Sequence, residues 1–213
     1  MIFNENIKIG IDIFNKCLSF AKNMTNGKGE HSSKSFGSGF RRNNSSIFRD
    51  TLQGKIAELA VIKYIKDNTG LKPDISTLNT IFKVEKLGWW EDCDLIYSDK
   101  KISIKSTKDY GTRLLLEKHR YDIDGSYKDS DTNIKHDIIF LVRIKGINDL
   151  NVSYSDIGIE ISGFISNNIF VKKISKNDYI PAKTLIGKIP LKVDNYCFNV
   201  KELIKPEKIS DYL

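Results

Sequence analysis

The sequence is poor in the residues that build disulfide-stapled or zinc-held folds. Its 213 residues contain three cysteines, Cys17, Cys93 and Cys197, far apart and without CxxC spacing. An odd, scattered set argues against a disulfide framework and against a thiolate zinc site. The three histidines, His31, His119 and His136, show no HExxH or HxxxH pairing. No apolar run approaches the ~18 residues that a transmembrane helix needs. The opening residues, Met1-Ile2-Phe3-Asn4-Glu5, lack the basic and apolar regions of a secretory leader. No internal repeat is visible. These absences lead to the expectation of a reduced, soluble, cytoplasmic protein without a membrane partner.

What is present is ordinary globular composition, 40% hydrophobic and 29% charged, which excludes a disordered tail or a collagen-like chain. The length suits one domain, or one domain with a small appendage. Thirty-four basic residues stand against 27 acidic ones, a net charge of +7, and that surplus favours a polyanionic partner.

Ile7, Ile11, Phe14, Cys17, Leu18 and Ala21 have helical spacing and predict an amphipathic helix over 5–24. Residues 25–49 turn rich in Gly, Ser and Asn and read as a loop. This loop carries Lys28, Lys34, Arg41, Arg42 and Arg49 against the single acid Glu30, with Phe36, Phe40 and Phe48 interleaved. Cations with aromatics suit a nucleic-acid backbone; a solubilising linker with docked phenylalanines is the alternative. A second helix is expected over Leu52–Lys66, ended by Asn68-Thr69-Gly70. A short strand is expected at 81–84, then a hairpin of Asp94–Tyr97 and Ile102–Lys105 about a turn at 98–101. A short helix is expected over 112–120 and a polar surface loop over 122–136. Strands are expected at Ile138–Ile144 and Ile157–Ile165, with one or two more between Leu185 and Val200. The order predicts a mixed α/β domain around one sheet. The expected division is 1–50, the N-terminal helix and basic loop, and 51–213, the main domain.

Asp92, Asp94 and Lys105 fall at one end of the expected hairpin. A carboxylate there can hold a hard divalent cation while the lysine orients water or neutralises developing charge on a phosphodiester. Magnesium suits such a site because it keeps most of its water. The alternative makes Asp94 a strand cap and Lys105 a solvated charge. Glu58 shares the apolar side of its helix with Val61, Ile62 and Ile65. A metal or a lysine would compensate its burial. Trp89-Trp90 is read as core packing ahead of base stacking.

The stretch Gln53-Gly54-Lys55-Ile56-Ala57-Glu58-Leu59-Ala60-Val61, then Asp94-Leu95-Ile96, then Ile102-Ser103-Ile104-Lys105-Ser106-Thr107, resembles the PD-(D/E)XK nuclease superfamily. His136 to Val142 is similar to the strand after that family's catalytic helix. Ile161-Ser162-Gly163-Phe164-Ile165 with Phe170 is similar to its G-(W/F)-I…F segment. The resemblance covers roughly residues 51–205. It implies a restriction-endonuclease-like core, a central mixed β-sheet flanked by helices. It further implies a metal-dependent endodeoxyribonuclease, of type II restriction or phage type, cutting double-stranded DNA as a homodimer. Magnesium would be the cofactor, manganese a substitute, and a cognate DNA methyltransferase a candidate companion.

The implied catalytic set is Asp94, Lys105, Glu58, Ser103 and Glu117, with Asp94, Glu58 and Glu117 on the metal. Arg41, Arg42, Arg49, Lys55 and Lys108 form the expected DNA-contact set. Ser103 departs from the pattern, which has Asp or Glu two residues before the lysine. Some restriction enzymes of this fold recruit a glutamate from the following helix instead, and Glu117 is the candidate here. A catalytically inactive nucleic-acid-binding module of the same fold is the alternative, with an RNA-directed protein as a third reading.

Overall fold

The sheet is organised by its most apolar segment. The run Ile138–Lys145 is buried in every position but the last, as expected of a strand covered on both faces. The computed structural model describes residues 2–25, 43–74, 82, 93–128, 133–148 and 150–213. Within these, helix α1 spans Ile11–Thr25 and α2 Asn44–Thr69. Strands follow at β1 Leu95–Tyr97, β2 Lys100–Lys108, β3 Arg113–Glu117, β4 Ser126–Tyr127, β5 Ile134–Lys135, β6 Ile138–Lys145 and β7 Gly158–Ser166. Helix α3 is Asn167–Ser175, and β8 Leu185–Ile186, β9 Ile189–Pro190 and β10 Asn195–Asn199 close the chain with two 3₁₀ turns.

The main sheet has the order β1-β2-β6-β7. β1 and β2 are antiparallel about a two-residue turn, Ser98 and Asp99, both at positive φ. β2 and β6 are parallel, and β6 and β7 antiparallel. The protein is therefore an α/β fold with a mixed central sheet. β3 pairs with β10 in a separate two-stranded sheet.

Two cores flank the main sheet. Phe14, Cys17 and Ala21 of α1 and Leu52, Ile56 and Ala60 of α2 pack with Ile102, Phe140 and Val142 on one face. Leu114 and Leu116 of β3, Phe170 of α3 and Phe198 of β10 pack with Ile139, Leu141 and Ile165 on the other. A buried ion pair ties down the N-terminal segment. Arg143, fully buried, bonds both oxygens of Glu160 and the backbone carbonyls of Ile2 and Asp109. Gly163, at φ +140°, is required where β7 meets the C-terminal segment, because a Cβ there would lie 2.5 Å from the Ile204 carbonyl oxygen.

Several expectations change. α1 begins at Ile11, while Ile7 makes a β-bridge to Ile159. α2 begins at Asn44, because Asn43 accepts the Ser46 amide at 2.8 Å as an N-cap. Residues 44–49 are thus helix and not loop, and the boundary expected between residues 50 and 51 falls inside α2. The helix expected over 112–120 is strand β3 followed by a 3₁₀ turn, Lys118–Arg120. Leu114 and Leu116 point into the core and Leu115 lies between them half-buried, the period of a strand. The described part of the crossover from β2 to β6 is therefore built of strands and turns. The polar stretch 122–136 includes the short β4–β5 pair. Of the strand expected at 81–84 only Phe82 is described, packed edge-on to Phe20.

Candidate active site

Asp94 stands where β1 begins. Its Oδ2 accepts the Ile104 amide at 2.6 Å and the Ser103 hydroxyl at 3.2 Å. A longer β1 would bond that amide with a backbone carbonyl, so the carboxylate takes over one rung of the ladder. Its Oδ1 has no hydrogen-bond partner among the described residues. Ser103 is buried, and its hydroxyl serves as a donor to Asp94.

Side chains alternate along β2. Ile102 and Ile104 join the α1/α2 core, and Ser106 receives a hydrogen bond from Gln53 of α2 at 3.2 Å. Ser103 and Lys105 consequently project to the other face, in register with Ile139 and Leu141 of β6. Lys105 is half-buried and makes no ion pair or side-chain hydrogen bond with the described residues. The turn expected at 98–101 is tighter, Ser98-Asp99 alone, so Asp94, just before β1, lies beside Ser103 and Ile104, with Lys105 next along the same face of β2.

Glu58 belongs to α2, which packs on the opposite face. It pairs with Lys55 at 2.7 Å, both side chains largely buried. It also acts on α1: the Cys17 thiol is pushed up to about 12, first by burial and then by the negative charge of Glu58. The described contacts join Glu58 to Lys55 and α1 and do not bring it to Asp94 and Lys105. Glu117 ends β3 instead of lying on a helix, and its carboxylate pairs with Arg120 and approaches His119 at 3.8 Å.

Sequence reasoning did not single out Tyr121, which is buried edge-on against Tyr127 and Phe170. Burial raises the pKa of its hydroxyl, and the fields of Tyr127, Asp94 and Glu117 raise it further, against Arg120. The signal was slight: an Arg-Tyr pair at the start of a polar stretch. Tyr121 also lines a cavity of about 600 Å³, together with Lys118, His119, Lys128, Asp194 and Tyr196.

The expected DNA contacts divide. Arg41 and Arg42 lie outside the described residues, as do Trp89, Trp90 and Asp92. Arg49 is on α2 and donates to the Asn148 carbonyl and the Ser46 hydroxyl. Lys55 is committed to Glu58 and lies over the Phe20 ring. Lys108, at the end of β2, lies 5.8 Å from the Tyr110 ring centroid.

Magnesium needs only one or two protein carboxylates and completes its shell with water and phosphate oxygens. Asp94, with its unpartnered oxygen, meets that minimum; Glu58 and Glu117 each hold a cationic side chain already. No group of three or more His, Cys, Asp or Glu side chains among the described residues is placed to hold a metal ion, so the three-carboxylate cage is not assembled there. None of the helices of the described residues is long and apolar enough to cross a membrane. Comparison with known proteins finds no match: no family model, no curated protein and no solved structure is significantly similar to the chain.

Proposed function

We propose that the protein is a magnesium-dependent endodeoxyribonuclease of restriction-endonuclease-like fold, a type II restriction enzyme acting on duplex DNA. The observation that carries this reading is the placement of Asp94 and Lys105 on one face of the β1–β2 hairpin. Among the described residues the first keeps a carboxylate oxygen without a partner and the second is a half-buried ammonium without a counter-ion, both on the same face of the sheet. Bound at Asp94, magnesium would polarise a phosphoryl oxygen and acidify a water. The Ile104 amide and Ser103 hydroxyl hold Asp94 Oδ2 in place. Lys105 offers its charge to the phosphate, where it stabilises the negative charge that develops during in-line attack. Cutting both strands calls for two such sites, hence a homodimer.

The test is incubation of the purified protein with supercoiled plasmid, with magnesium and with EDTA. Discrete magnesium-dependent fragments support a site-specific enzyme, and a smear supports a non-specific one. A second reading, a binding module of the same fold, is favoured by Ser103, which stands where the family pattern has a carboxylate and is used as a donor to Asp94. DNA bound but left intact under both conditions would select it.

A further inference from the structure

Beyond the Asp94–Lys105 site, the segment 179–193 holds three lysines, Lys183, Lys188 and Lys192, and no acid. Within it β8 and β9 form a hairpin, Leu185 opposite Pro190 and Ile186 opposite Ile189. Gly187, at φ +62°, opens the two-residue turn. The base of the hairpin is firmly seated. Lys183 N–H donates to the Leu191 carbonyl, Leu191 N–H to that of Thr184, and the Asp194 carboxylate accepts the Ala182 amide at 2.8 Å. Ile180 and Asn195 exchange backbone bonds just below, joining the hairpin to β10.

The tip is less easily explained by folding alone. Leu185 is 63% and Ile189 71% exposed, and their register sets them on opposite faces of the ribbon. A two-stranded hairpin is marginal in water, and apolar groups on both faces call for cover from two sides. A duplex groove has two walls, and the major groove, about 12 Å wide, admits a two-stranded ribbon. Its phosphate rims match the lysines. A second copy of the same ribbon would set like charges together.

We infer that the β8–β9 ribbon is a duplex-DNA contact element that enters a groove, with Lys183 and Lys188 on the phosphates and Leu185 and Ile189 against the groove floor and wall. Ala182 and Val193, at its root, line the cavity that also holds Lys118, Lys128 and Tyr121, so the ribbon rises from a cavity that carries two further lysines. The inference rests on the proposed action on DNA but adds a contact surface to it.

The experiment measures duplex binding by the full-length protein over a salt series, for wild type, Lys183→Glu/Lys188→Glu and Leu185→Ser/Ile189→Ser. All four side chains are exposed, so unchanged thermal melts are expected to confirm folding. The lysine pair should weaken binding and flatten the log–log salt slope by about two units, one per lost phosphate contact. The apolar pair should weaken binding while leaving the slope in place. Unchanged affinity and slope in the lysine variant, with wild type binding and cutting DNA, would overturn the ribbon's role and leave the nuclease reading standing. Binding that depends on the ribbon without any cleavage would do the reverse. An Leu185→Ser/Ile189→Ser variant that becomes monomeric while the lysine variant binds normally would assign the ribbon to self-association and refute the inference.

Discussion

Replacing Asp94 in two ways separates its place in the sheet from its place in the chemistry. Asp94→Ala removes the acceptor for the Ile104 amide and the Ser103 hydroxyl. A donor left without a partner costs about 1–3 kcal/mol, and the half-exposed position puts this case near 2 kcal/mol because water can reach part of it. For a chain of this size that corresponds to a Tm lower by roughly 4–8 °C. Asp94→Asn keeps an acceptor oxygen and a similar shape, so its loss of stability should stay below about 1 kcal/mol. It removes the charge that a hard cation requires, so plasmid cleavage should fall at least about 100-fold. The assays are thermal unfolding and magnesium-dependent nicking on the same preparations. Cleavage at the wild-type rate by Asp94→Asn would refute the site. An Asp94→Ala protein as stable as wild type would refute the ladder role.

Lys105→Ala should abolish cleavage while duplex binding stays within a few-fold, since one lysine contributes one contact among several; parallel loss of both would make Lys105 a binding residue only. Glu160→Ala should destabilise by about 3–5 kcal/mol in urea unfolding, because it strands the fully buried Arg143 guanidinium. The paired change Arg143→Met/Glu160→Leu should recover most of that loss. Cys17 should resist thiol reagents at pH 8 in the folded protein and react on unfolding. Its folded value of about 12 lies above the 9.0 of an unperturbed thiol, so stability held below pH 9 should decline as pH rises from 9 towards 12. A Cys17→Ala protein with the same alkaline decline would assign it to other groups, such as Tyr97, whose hydroxyl burial also pushes up.

Local pattern alone determined a good part of this protein. The apolar spacing of Leu52 to Ile65 defines a helix whatever surrounds it, and the continuous run from Ile138 announces a strand buried on both faces. That Asp94 and Lys105 belong to one hairpin also follows from short-range signals, but the turn expected at 98–101 is only Ser98-Asp99, and this shift of register sets Asp94 beside Ser103 and Ile104 instead of opposite Lys105. Other features needed the tertiary structure. Arg113 to Glu117 carries three consecutive leucines that suit either a helix or a strand; β10, some eighty residues later, supplies the edge that makes it a strand. The start of α2 was hidden because Asn and Ser serve equally as loop residues and as caps, and only the Asn43–Ser46 bond distinguishes them. Glu58 was legible as an acid on an apolar face, with a metal or a neighbouring lysine as the two expected partners. Lys55, three residues before it on the same helix, takes that place, and the tertiary structure adds the burial of both side chains under α1. Tyr121 became visible only in the tertiary structure, which buries its ring edge-on against Tyr127 and Phe170 and raises its hydroxyl chiefly by that burial, a proximity that depends on distance in space and leaves no period in the chain.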